Sequence, residues 1–161
     1  MKIIGIDPDV DRSGIAILDT LTRSVMVCTL SFPELVDWLY DEANKEYAPV
    51  IVVEAGYLNR SHWHGNQQGS NRYAAAIGND TGRNHEIAKK IVELANHKGY
   101  DVVEKKPLRK IWKGKDRKIT HEEIVRICPF LKAARTNQEE RDALLLALDY
   151  SGLPMQLGHW G

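Results

Sequence analysis

The stretch Lys2-Ile3-Ile4-Gly5-Ile6-Asp7-Pro8-Asp9-Val10-Asp11-Arg12-Ser13-Gly14-Ile15-Ala16-Ile17-Leu18-Asp19 decides the fold of this chain. An apolar run ends in an acid, a tight acidic turn follows, and a second apolar run starts with a glycine near its head. Pro8 has no backbone N–H to give to a sheet ladder, so the first strand stops at or next to Asp7. Asp7 therefore stands at a strand end, where a side chain is held rigidly and still faces a cleft. Taken alone, the pattern also fits an ordinary hairpin with an acidic turn. A site requires matching acids elsewhere.

Working outward, residues 2–7 and 13–19 read as a hairpin, and Val25–Leu30 as a third strand after a turn at 19–24. Ser31 and Glu34 form a capping box, and Leu35, Trp38 and Leu39 give the helix behind it an apolar stripe that predicts its end near Tyr47. Val50-Ile51-Val52-Val53-Glu54 is a β-branched run, the pattern of a strand buried on both faces, and it too ends in an acid. Residues 57–69 are polar and aperiodic, with Arg60, His62, Trp63 and His64 among them; loops of this length serve a function or are disordered. From Asn71 either one helix runs to His97 and stops at Gly99, or two helices meet at Asn79-Asp80-Thr81. Ala74, Gly78 and Gly82 recur every fourth residue and predict a bare face able to press close against the sheet. Tyr100 to Glu104 reads as a fifth strand. Capping boxes at Thr120/Glu123 and Asn137/Glu140 open two more helices, ended by Pro129 and by Gly152.

The expected architecture is α/β: a mixed five-stranded sheet in βββαβαβα order, with helices on both faces, an extra short helix after Thr120, and the element order of the RNase H-like fold. At 161 residues one domain is expected, over 1–152, followed by a tail at 153–161. Hydrophobic content of 43% and charged content of 27% are those of a soluble globular protein, and 22 basic against 22 acidic residues name no partner. Cys28 and Cys128 have no metal or redox spacing, no signal-peptide core follows Met1, and no apolar run has membrane-spanning length. The expected compartment is the cytoplasm, with no membrane partner.

The acids sharpen the reading. Asp7 ends the first strand and Glu54 the fourth, while Glu139 and Asp142 stand three apart near the start of the last helix and share a face. Glu140 is turned about 100° from Glu139 and is expected to face water. Clustered carboxylates repel one another and are best tolerated around a cation. An all-oxygen donor set points to Mg²⁺, with Mn²⁺ as a substitute, rather than Zn²⁺. Residues 105–118 hold eight basic side chains against Asp116 alone. With Arg60, Arg72 and Arg83, their Lys110, Lys113, Lys115 and Lys118 can track phosphates, and Trp112 within the run favours DNA over a merely solvated loop.

Gly5-Ile6-Asp7-Pro8 with Ser13-Gly14, Glu54 with Tyr57, Ile77-Gly78 with Gly82-Arg83, Lys118 before the Thr120 helix, and Glu139-Glu140-Arg141-Asp142-Ala143-Leu144 follow one another along nearly the whole chain. Together they resemble the RuvC-type Holliday-junction resolvases, metal-dependent endonucleases that cut four-way DNA junctions as homodimers. The resemblance implies metal ligation and catalysis by Asp7, Glu54, Glu139 and Asp142, an active-site role for Lys118, and a place for Tyr57 at the junction centre, where it could stack on an unpaired base. Departures are present: Asp9 stands where the family usually has glycine, Glu139 where Asp or His is commoner, and the His62-Trp63-His64 loop has no counterpart.

The implied chemistry is phosphodiester hydrolysis in branched DNA, with two cations roughly 4 Å apart bridged by Asp7 and Lys118 steadying the scissile phosphate or the nucleophile. His62 and His64 lack the companions of a metal site. Rival readings are an RNase H acting on RNA–DNA hybrids and a catalytically inactive nucleic-acid-binding module, against which the four intact acids argue. An actin-like ATPase or sugar kinase also opens on Ile-Asp and a glycine hairpin, but its two lobes need a longer chain.

Overall fold

The computed structural model describes residues 1–59 and 71–154, with side chains from residue 78 onward in the second segment. Five strands, β1 (Lys2–Asp7), β2 (Ser13–Asp19), β3 (Val25–Leu30), β4 (Val50–Glu54) and β5 (Asp101–Lys105), form one sheet in the order β3-β2-β1-β4-β5. β1 to β3 are antiparallel neighbours, whereas β4 runs parallel to β1 and β5 parallel to β4. The helices are α1 (Phe32–Tyr40), α2 (Glu42–Glu46), α3 (Asn71–His97), α4 (His121–Ile127) and α5 (Gln138–Ser151). No helix among the described residues is long and apolar enough to cross a membrane.

Strand side chains alternate between faces, and the alternation divides the core in two. Ile4, Ile6, Ile15, Ile51 and Val53 pack with Leu35 and Leu39 of α1 and with Ala88, Ile91 and Ala95 of α3. Ile3, Ala16, Leu18 and Val52 pack on the opposite face with α4 and α5. Residues 143–148 of α5 are all buried, because the helix lies between the sheet and a lid of Ile119, Ile124, Ile127, Cys128 and Leu131. The same parity decides where the strand-end acids go. Asp7 follows Ile3 and Gly5, and Glu54 follows Val52, so both belong to the face that α5 covers.

The expected capping boxes at Ser31/Glu34, Thr120/Glu123 and Asn137/Glu140 are all formed. Two local expectations are corrected, and one open choice is settled. The first helix does not reach Tyr47. Asp41 takes an extended backbone, its Oδ1 accepts from the Ala43 N–H at 3.0 Å, and the chain restarts as α2, since Asp serves better as an N-cap than inside a helix. In α3, Asn79-Asp80-Thr81 does not break the helix. These residues are exposed, and Asp80 lies 3.9 Å from Arg83 one turn on, so their polar groups need not compete with the helix backbone. The bare face fails at Gly82: a side chain there would meet open space. Packing on the sheet falls to Ala88, Ile91 and Ala95, and Gly99, with φ of 84°, ends the helix in the left-handed region.

Candidate active site

The parallel register that pairs Ile6 with Val53 brings the ends of β1 and β4 together, and the Asp7 carboxyl there stands beside that of Glu54. Burial pushes the Asp7 carboxyl well above the ordinary carboxylate range, the hydrogen bond and charge of Glu54 push it further, and the charges of Asp142 and Glu139 add to the effect. The four acids singled out by spacing thus stand within electrostatic reach of one another.

Two glycines let the helix bring its acids in. An added Cβ at Gly5 would overlap the Ala143 carbonyl, and one at Gly14 the Glu139 carbonyl. The backbone of α5 therefore rests directly on β1 and β2, and its first turn is held over Asp7. The signal was present in the sequence, since glycine inside an apolar strand marks a close backbone approach. Asp142 is also raised by burial, while the Gln138 hydrogen bond, at 2.8 Å to Oδ1, and the charge of Lys118 pull the other way. Glu140 closes the expected capping box on the solvent side. Its Oε1 accepts from the Asn137 N–H at 2.9 Å, so it caps its own helix.

A cleft opens beside this cluster, lined by Glu54, Asp142, Lys110, Lys118, Leu108 and Trp112 among others. Lys118 is half-buried there, whereas Lys110, Lys113 and Lys115 are exposed. Lys110 also acts electrostatically on Asp142, a proximity that spacing did not reveal. The basic segment is a tied loop: Trp112 N–H donates to the Arg117 carbonyl at 3.0 Å and Gly114 N–H to the Lys118 carbonyl at 2.9 Å. Trp112 packs against the α5-side core, which gives it an anchoring role in the loop. Tyr57 packs against the α1 and α3 side of the core, its hydroxyl bonded to Glu104 and its ring edge-on to His85 at 6.2 Å. Arg83 is exposed on α3. Arg60, His62, Trp63 and His64 lie outside the described residues, as does the side chain of Arg72.

Among the described residues, no three His, Cys, Asp or Glu side chains already converge as a cage for an ion. The acids stand instead as a cluster that burial and mutual repulsion push toward the protonated form at Asp7 and Asp142. The donor set nevertheless fits a hard divalent cation: all its atoms are oxygens, and the burial and neighbouring negative charge that raise Asp7 are what a cation would relieve.

The sheet order, the parallel β1–β4–β5 half and the helices on both faces define an RNase H-like α/β fold of the RuvC type. The chain aligns with Thermus thermophilus RuvC in complex with a Holliday junction substrate at a TM-score of 0.54, with 18% identity over 94% of this chain and 92% of that one. A second T. thermophilus RuvC structure gives a TM-score of 0.52 and 17% identity over 94% and 93% of the two chains. At such identities the likeness is one of fold, and it agrees with the resemblance carried by the sequence motifs. No protein-family model matches the chain, and no curated protein does.

Proposed function

We propose that this chain is a divalent-cation-dependent endonuclease that hydrolyses phosphodiester bonds in branched DNA, with four-way junctions as the favoured substrate and a homodimer as the working form. The observation that supports it most is the Asp7–Glu54 pair, with Glu139 and Asp142 in reach and a lysine-lined cleft beside it, on a RuvC-type fold. Asp7, Glu54, Glu139 and Asp142 are the residues that would hold Mg²⁺ or Mn²⁺. Bound there, such cations would activate a water and stabilise the leaving oxygen. Lys118 and Lys110 place positive charge on the cleft wall, where a phosphate would lie against them. Leu108 and Trp112 supply an apolar part of the wall that limits water. Outside the cleft, Lys113, Lys115 and Arg83, together with Arg60 and Arg72, would track the DNA backbone, with Tyr57 as a stacking residue once its bond to Glu104 is released.

Cutting a junction symmetrically requires two active sites, which two-fold symmetry supplies. The part of α3 around Gly78 and Gly82, which the sheet does not cover at Gly82, is the proposed interface. The test compares a four-way junction, a linear duplex and an RNA–DNA hybrid side by side with Mg²⁺. Selective junction cleavage, abolished by chelator, is expected. Cutting of the hybrid alone would move the assignment to an RNase H, and activity in excess chelator would end the metal mechanism.

A further inference from the structure

Arg141 stands directly before Asp142, half-buried, and its guanidinium is engaged by three residues from two parts of the chain. Nε donates to the Ile119 carbonyl at 3.0 Å, one terminal nitrogen to the Thr136 carbonyl at 2.6 Å and its hydroxyl at 3.0 Å, and the other to Gln138 Oε1 at 3.2 Å. Gln138 passes the constraint on, because its Nε2 donates to Asp142 Oδ1 at 2.8 Å. Thr136 Oγ1 is held from a second side by His121 Nδ1 at 2.7 Å. Ile119 is the residue after Lys118. One side chain thus joins the segment that carries the cleft lysine to the helix that carries the cleft acid.

We infer that Arg141, acting through Gln138, is a positioning residue that fixes which oxygen of Asp142 is available to a cation in the cleft and how far Lys118 stands from it. The inference rests on the nuclease reading and deepens it. An amide has one acceptor and one donor end. With Oε1 committed to Arg141, Gln138 presents its NH₂ to Asp142 and so engages Oδ1, leaving Oδ2 for the cleft. Without the guanidinium the amide is free to turn over, and its carbonyl would then repel the carboxylate. A lysine at 141 keeps the charge but not the planar fork that reaches four acceptors on three residues.

The measurement is Mn²⁺ binding to the full chain without DNA, followed by electron paramagnetic resonance, in wild type, Arg141→Lys, Gln138→Leu and the double variant. It is made well below the unfolding temperature of each protein. Hydrogen-bond partners of metal ligands are typically worth a factor of about 10–100 in affinity, so each single variant should weaken Mn²⁺ by that order. The double variant should be no weaker than Arg141→Lys, because both changes remove one path. Junction affinity in chelator should stay within about twofold, separating this role from a general loss of fold. Wild-type binding with unaltered variants, or fully additive losses, overturns the inference alone. A wild type that binds no Mn²⁺ overturns the metal-dependent nuclease reading and the inference with it.

Discussion

Asp7→Asn separates the electrostatics of the site from its chemistry. In the fold Asp7 keeps its proton far above the range in which it loses it in the unfolded chain, where it titrates near 3.8. Between those limits the native state holds one more proton than the unfolded state. Stability is then fully present below the unfolded value and falls as pH rises, by about 1.4 kcal/mol per pH unit for one proton. From pH 5.5 to 7.5 this single group should cost wild type up to about 2.7 kcal/mol, and about 1–3 kcal/mol once neighbouring carboxyls share the load. Asparagine imitates the protonated acid: it is neutral, nearly the same shape, and still donates to Glu54. Urea unfolding in chelator at pH 4.5, 5.5, 6.5 and 7.5 should show the two proteins converging at the acid end and Asp7→Asn pulling ahead at the neutral end. Adding Mg²⁺ at pH 7.5 should raise the midpoint of wild type and leave the variant nearly unmoved. Parallel stability curves across the whole range would refute the raised Asp7 carboxyl. Cleavage by the variant should fall on the order of a thousandfold or more.

Glu139→Gln should reduce Mg²⁺-dependent cleavage by about a hundredfold, equivalent to about 2.7 kcal/mol of barrier, whereas Glu140→Gln, which preserves the capping box, should be nearly silent; the reverse outcome in a cleavage assay at matched stability would overturn the register assigned to α5. Neutralising Lys110, Lys113 and Lys115 together should weaken junction binding and reduce the slope of log affinity against log salt by up to about 2–3; an unchanged slope in a salt titration would mean that the loop touches no phosphate. Gly14→Ala should destabilise the protein by about 1–3 kcal/mol, as overpacking does, because its methyl group would run into the Glu139 carbonyl; a denaturation midpoint equal to wild type would show that α5 can lift off the sheet without cost.

Features with local causes are legible in the sequence. Three capping boxes, the stop at Pro8 and the buried β4 run each arise from a few adjacent residues, and each has its expected counterpart in the structure. The grouping of the acids follows from strand ends and i,i+3 spacing, again a short-range argument. What escapes is settled by partners far along the chain. Arg141 reads as one more charge on a polar helix start until Ile119 and Thr136 are seen beside it. Trp112 reads as an aromatic among lysines, yet its neighbours are core residues. The end of α1 is a competition that Asp41 wins by capping the next helix, and the apolar stripe of α1 carries no sign of that outcome.

The seating of α5 on Gly5 and Gly14 also has a consequence during biosynthesis. Two acids of the cluster lie within the first 54 residues, but the other two lie at 139 and 142, on the helix that covers β1 and β2. A chain leaving the ribosome at about 5–20 residues per second therefore exposes an apolar, glycine-notched sheet face for several seconds before its cover arrives. Over that interval the nascent protein lacks half of its acid cluster. The same interval is when the uncovered strands are most open to misassociation, which makes the arrival of residues 138–151 the step that both completes the acid cluster and covers the sheet face.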